Sequence, residues 1–227
     1  MEGPVILLIR FNFVGRPHKE EEFNHFYSEV HVPNVAREPG VLGAYRYQAV
    51  DGRPREYVTI YAFENEEARS KAMRRASDAI SEEEHDEWQR WRSGYLTEFT
   101  YNTFREIYNS TGRNDRVEGP ILMLLRYRFL GDREELAAFN EWYSNSHIKT
   151  VERLPGCNGT HRYASTEDQA REFLTFYALE SVEARSAIGR HDTQELIEEH
   201  KKWHYWRSQH VSGFANNLFQ EIKHIGA

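Results

Sequence analysis

The stretch Phe23-Asn24-His25-Phe26-Tyr27-Ser28-Glu29-Val30-His31 returns later in the chain as Phe139-Asn140-Glu141-Trp142-Tyr143-Ser144-Asn145-Ser146-His147. Phe, Asn, Tyr, Ser and His keep their places in both. Working outward, Glu2-Gly3-Pro4 matches Glu118-Gly119-Pro120, Pro39-Gly40 matches Pro155-Gly156, and Arg46-Tyr47 matches Arg162-Tyr163. Trp91-Arg92-Ser93 matches Trp206-Arg207-Ser208 after the offset slips by one residue. The repeat is far longer than the roughly 20–50 residues of a solenoid unit. It is the size of a domain, so the chain is a duplicated domain: a first unit at 1–108, a linker at 109–117 and a second unit at 118–227. Positions kept in both copies share a constraint, or a recent ancestor.

Hydrophobic periodicity gives the order of elements within one unit. Val5–Phe13 is branched and aromatic and reads as a strand. Gly15-Arg16-Pro17 breaks it. From Glu20 to about Val30 the apolar residues Phe23, Phe26, Tyr27 and Val30 have helical spacing. Pro33 and Pro39-Gly40 are expected to end or kink that helix. Leu42–Val50 and Tyr57–Phe63 read as strands joined at an Asp51-Gly52 turn. A second helix covers Asn65–Ile80 and continues or restarts through Glu82–Tyr95, and Phe99–Tyr108 is a last strand. The order β-α-β-β-α-β is a ferredoxin-like split unit. Helices on one sheet face leave the other face in need of cover. The expected fold is therefore α+β: two tandem ferredoxin-like units forming one pseudo-symmetric barrel.

Composition narrows the function. The net charge is −7 with no basic stripe, which argues against nucleic acid as a partner. Aromatic residues make up 14% of the chain, which points to cores or a pocket built on rings. The single Cys157 rules out an internal disulfide or a cysteine zinc site. No basic start followed by an apolar segment marks a signal peptide, and no apolar run reaches the ~20 residues of a membrane helix. A cytoplasmic protein without a membrane partner is the expectation, and the sequons at Asn109 and Asn158 then read as accidental. Glycine-rich phosphate loops, H-E-x-x-H and G-x-S-x-G are all absent.

The segment Phe26–Pro33 followed by Pro39-Gly40 and a strand resembles the dimeric α+β barrel superfamily, and within it the EthD-like proteins. Their shared pattern is aromatic-x-x-x-His-x-Pro … Pro-Gly. The second copy departs from it, with Lys149 where proline belongs. The resemblance implies the barrel fold for essentially the whole chain. It implies no single reaction, because relatives include cofactor-free monooxygenases, cyclases, isomerases, dehydratases and haem-dependent enzymes. Barrel relatives often pair, so a homodimer is one expectation.

Candidate chemistry starts at His31 and Tyr27, with His147 and Tyr143 in the second copy. Four apart on a helix, each pair shares a face. A histidine at a helix end can move a proton near neutral pH, and a tyrosine one turn away can orient it. The competing reading is a histidine that caps the helix. Arg10 and Arg126 interrupt the first strand of each unit, on the face away from the helices. A charge there needs a partner or a ligand. Arg46 and Arg162 repeat the problem on the second strand. All four are candidate substrate holders, against the alternative of an internal ion pair. Glu84-His85-x-x-Trp88-x-x-Trp91 and its copy Glu199-His200-x-x-Trp203-x-x-Trp206 form aromatic stripes. They are either packing or the wall of a pocket for a flat ligand, with His85 or His200 at its edge. Thr59 and Tyr61, like Thr175 and Tyr177, place hydroxyls on one strand face. His200 and His204 have a metal-compatible spacing, but no carboxylate motif accompanies them, and no metal is expected.

The sequence thus points to an enzyme for a small aromatic or polyketide-like substrate. It would work by histidine-mediated proton transfer without a nucleotide cofactor. The alternatives are a haem enzyme, with His31, His147, His85 or His200 as axial ligand, and a binding module without chemistry.

Overall fold

The computed structural model describes residues 3–51, 55–110, 119–167, 171–189 and 192–226. Gly52 of the expected turn, most of the expected linker (111–117) and Glu118 lie outside them. The first unit contains β1 (Val5–Phe13), α1 (Pro17–Phe26), a π-helical turn (Tyr27–His31), α2 (Val32–Ala36), β2 (Val41–Ala49), β3 (Glu56–Phe63), α3 (Glu66–Ala79), α4 (Glu82–Tyr95) and β4 (Leu96–Asn109). The second contains β5 (Ile121–Phe129), α5 (Arg133–Trp142), a π turn (Tyr143–His147), α6 (Ile148–Glu152), β6 (Cys157–Ser165), β7 (Glu172–Leu179), α7 (Arg185–Ile188), α8 (Gln194–His210) and β8 (Val211–Gly226). The expected β-α-β-β-α-β order is present twice. The eight strands are hydrogen-bonded in the order β1-β3-β2-β8-β5-β7-β6-β4, which closes on itself as a barrel.

Register follows the duplication. Leu8 lies opposite Ile60 on β3, and its counterpart Leu124 lies opposite Phe176 on β7. Both second strands shift register at the same place, Val41/Gly43 and Cys157/Gly159. The compact units do not divide at the linker: the first takes in Met1–Arg105 with Gln220–Ala227, and the second Glu106–Phe219.

In the first unit Val5, Leu7, Phe11 and Phe13 of β1 pack with Tyr57, Tyr61 and Phe63 of β3 against Phe23, Phe26, Tyr27 and Trp91 of the helices. Successive strand residues point to opposite faces, so the expected alternation of β1 holds. The other face, with Ile6, Leu8, Val58, Ile60 and Ala62, is buried as well. This core is built largely on rings. Phe23 stacks on Phe13 at 5.4 Å and meets Trp91 edge-on at 5.7 Å. The second unit repeats it with Tyr127, Phe129, Phe139, Trp142, Tyr143 and Phe173.

One helical expectation is corrected, and one choice between alternatives is decided. Pro33 does not end the first helix. The chain stays helical through the π turn and α2 to Ala36, with Pro33 placed directly after the π turn. The break near Ile80 is a restart: Ser81 caps α4 by accepting from the Glu84 N–H at 3.1 Å, as Asn65 caps α3 by accepting from Ala68.

Candidate functional site

His31 lies inside a continuous helix rather than at its end. The π turn over Tyr27–His31 inserts one extra residue, and the same turn recurs at Tyr143–His147. Such insertions re-aim the side chains around them and are frequent at functional sites. The second copy makes the turn with Lys149 in place of Pro33, so proline is not its cause.

The His31 ring stacks on Trp88 of α4, centroids 4.6 Å apart and 13° from parallel. Tyr27 lies at 5.3 Å and Phe26 at 6.0 Å. The imidazole Nδ1 is 3.4 Å from Oε1 of Glu84. The other Glu84 oxygen accepts from the Asn34 side chain at 2.6 Å, which fixes the carboxylate. Burial pushes His31 down to about 4, so the ring is neutral at pH 7. Burial also raises Glu84, partly offset by the Asn34 hydrogen bond. In the second unit His147 Nδ1 is 3.6 Å from Glu199, an electrostatic contact rather than a hydrogen bond. Glu199 also accepts from the Trp142 indole at 3.0 Å and from the Ser146 hydroxyl. Burial pushes Glu199 up, but contacts from His147, Ser146 and Trp142 outweigh it and hold the carboxyl below its usual range.

The arginines divide into two kinds. Arg10 points away from the helices, as expected, and meets the buried carboxylate of Glu56, with its Nε donating at 3.1 Å. Arg126 is half-buried on β5, and Glu172, the counterpart of Glu56, binds Arg128 at 3.0 Å. Arg46 and Arg162 contradict the expected orientation, because both point toward the helices. Arg46 is fully buried and donates to Ser28 Oγ at 2.6 Å and Asn24 Oδ1 at 2.5 Å. Its guanidinium lies 4.8 Å from the Tyr27 ring centre and 5.0 Å from that of Tyr57. Arg162 repeats this with Ser144 at 3.1 Å, Asn140 at 2.7 Å and the Tyr127 hydroxyl at 3.1 Å. Burial lowers Arg46 to about 10, still charged at pH 7. These two side chains tie the π-turn helix to the sheet. Strand period gave no phase here because β2 is buried on both faces.

Burial raises Tyr27 and Tyr143 above the usual phenol value, so both hydroxyls stay protonated at neutral pH. Among the described residues neither hydroxyl has a well-formed hydrogen bond. Thr59 and Thr175 are buried beside them, on the helix side of their strands.

The aromatic stripe is corrected by one residue. Glu84, Trp88 and Trp91 face inward, whereas His85 and His200 are exposed on the outer side of their helices. Trp91 is 2% exposed and belongs to the core, so only Trp88 borders His31. Sequence reasoning missed Glu84 and Glu199 as the histidine partners. The signal was present: each precedes the chosen histidine directly and sits one helical turn before a tryptophan in both copies. It also missed the pair of buried His161 and half-buried Glu106, whose Nδ1–Oε1 distance is 2.6 Å. Nothing in the repeat marks that pair, because Tyr45 stands at the first-copy position of His161. Among the described residues no three His, Cys, Asp or Glu side chains converge as a metal set, and no helix is long and apolar enough to cross a membrane.

No family model and no curated protein sequence matches the chain. Solved structures do. An anthrone oxidase-like protein superposes with a TM-score of 0.74 at 12% identity, covering 100% of this chain and 94% of its own. A candidate monooxygenase from Lactobacillus acidophilus NCFM superposes at 0.64 and 13% identity, covering 98% and 96%. A ferredoxin-fold protein from Listeria monocytogenes 4b F2365, related to antibiotic biosynthesis monooxygenases, superposes at 0.50 and 12%, covering 98% and 96%. With the closed barrel of two ferredoxin-like units, these likenesses show the fold: an α+β barrel of the kind found in these ferredoxin-fold and monooxygenase-like structures.

Proposed function

We propose that this chain is an EthD-like enzyme that moves a proton at a carbon next to a carbonyl of a small aromatic or polyketide-like molecule, without a nucleotide cofactor. The observation that carries the reading is the histidine–carboxylate pair on a π turn, present at the same place in both units: His31 with Glu84, and His147 with Glu199. A neutral imidazole accepts a proton at Nε2; at His31 the Glu84 carboxylate beside Nδ1 orients the tautomer, and in both units the nearby carboxylate stabilises the imidazolium that forms. Trp88, stacked on His31, is a flat surface for an aromatic ring. An anthrone, a tricyclic aromatic ketone whose ring CH2 lies opposite the carbonyl and is acidified by it through the two flanking rings, is the first substrate class to try for an equivalent, conjugated proton transfer, because an anthrone oxidase-like protein shares the fold.

Proton–deuterium exchange at that CH2, followed by NMR, tests the reading without knowledge of later steps. His31→Ala and His147→Ala are made singly and together. Loss of a positioned base costs ~10²–10⁴-fold, so the double variant should fall at least ~100-fold. Unchanged exchange in the double variant would sink the assignment. The haem alternative needs the same Nε2 edge. A haemin titration read at the Soret band tests it: tight one-to-one uptake that disappears in the histidine variants would replace the proposal. Neither exchange nor haemin uptake would leave the chain a binding module.

A further inference from the structure

A second site lies at the opening of the first unit, where β1 runs into α1. A cleft of about 810 Å³ is lined by Phe13, Val14, Gly15, Arg16, His18, Lys19, Arg55 and Tyr95. None of these residues belongs to the His31 site. Phe13 and Tyr95 form its aromatic wall, stacked at 5.7 Å and 8° from parallel. Gly15 permits that wall, since a Cβ there would come within 2.6 Å of the Phe13 ring and 3.0 Å of Tyr95. Around it stand three cations and a histidine, with no carboxylate among the described lining residues. Two of the cations already face an acid outside the lining: Arg55 Nε lies 3.4 Å from Glu20, which also accepts from the Tyr57 hydroxyl at 2.7 Å, and Lys19 meets the exposed Glu22 at 2.6 Å, so an anion would be held chiefly by Arg16.

The second unit provides the internal comparison. Its counterparts keep the frame, with Phe129, Gly131 and Arg171, but reverse the charge: Arg16, His18 and Lys19 become Asp132, Glu134 and Glu135. There Asp132 caps α5 and closes a capping box with Glu135. In the first unit Arg16 occupies the N-cap position without any side-chain cap, so α1 has given up this stabilising device. Stability alone favours the acidic version. A cation beside the half-buried Tyr95 ring, with Phe13 buried behind it, suits an aromatic anion, through charge at one end and ring contact at the other. We infer that this cleft binds an aromatic carboxylate, and that the first unit alone does so.

Equilibrium dialysis of the full chain against 2-naphthoate tests the inference, with 2-naphthamide and inorganic phosphate as controls. The key variant is Arg16→Asp with Lys19→Glu, which installs the second unit's capping box. One naphthoate should bind per chain. The double variant should weaken it at least tenfold while unfolding at a temperature no lower than the wild type. Arg16→Gln, a milder change, should weaken it severalfold. Absence of saturable binding to the wild type, or equal binding by the folded variants, overturns the inference. Equal binding of 2-naphthamide overturns the anionic part, and displacement of naphthoate by equimolar phosphate overturns the aromatic part. Because the cleft shares no residue with the His31 site, loss of naphthoate binding in His31→Ala would also refute it.

Discussion

His31 sets the pH behaviour expected of the first unit. Its folded value of about 4 lies below the 6.5 of a free histidine because the ring is buried. Between those values the unfolded chain holds more protons, so stability falls as pH drops from about 6.5 to about 4 and then levels. The shift corresponds to roughly 3 kcal/mol at most. Glu84, raised by burial, acts in the opposite sense, favouring the folded state as pH falls toward the carboxylate range. Urea unfolding at pH 7 and pH 4.5 should therefore show a clear decline, and His31→Phe should flatten it. An identical slope in both proteins would mean that His31 is not held neutral by burial. Arg46 makes a different prediction. Its removal strands Asn24 and Ser28 in a buried layer, and each unsatisfied group costs ~1–3 kcal/mol. Arg46→Met should lose ~3 kcal/mol or more, although its volume is similar; a loss under ~1 kcal/mol would show that the layer repacks.

At the scale of the element, the π turn is set by the helix and its packing rather than by one residue. Two copies make it, one with proline after the histidine and one with lysine. Pro33→Ala should therefore shift stability by less than ~1 kcal/mol and leave the pH dependence of His31 intact. A changed pH profile in that variant would show that proline holds the turn. The restart of α4 at Ser81 matters more. Ser81 accepts from the backbone N–H of Glu84, the residue that faces His31. Ser81→Ala should cost ~1 kcal/mol of stability, and it should also slow exchange at the substrate carbon by loosening the carboxylate. Ser81→Asp, an equally good cap, should restore both; failure to restore would separate the cap from the site.

On the scale of the whole molecule, the unit boundaries cross the sequence repeat. The end of β8 belongs to the first unit. There His224 stacks on Tyr45 at 4.4 Å, Lys223 pairs with Glu29 at 3.0 Å and Ile225 packs on the core. The end of β4 belongs to the second unit in the same way, bringing Glu106 to His161. A chain truncated after Phe219 should lose cooperative unfolding of the first unit, measured by circular dichroism and by protease resistance. Two separately made halves, 1–110 and 119–227, should each fold poorly alone. A half that unfolds cooperatively by itself would contradict this exchange of strand ends.

The sequence by itself determined the duplication, the order of strands and helices, the phase of β1 and the placing of Tyr27 beside His31. These follow from local periodicity and from comparing two copies of one text. It could not phase β2, whose residues are buried on both faces, so it sent Arg46 and Arg162 the wrong way. It also chose His85 over Glu84, because a helical stripe one residue off looks equally regular until a neighbouring helix selects the face. The π turn, the carboxylate opposite each histidine, the Arg10–Glu56 pair and the exchange of strand ends were decided by the tertiary structure. Each depends on contacts between residues far apart in the chain, and only packing brings those residues together.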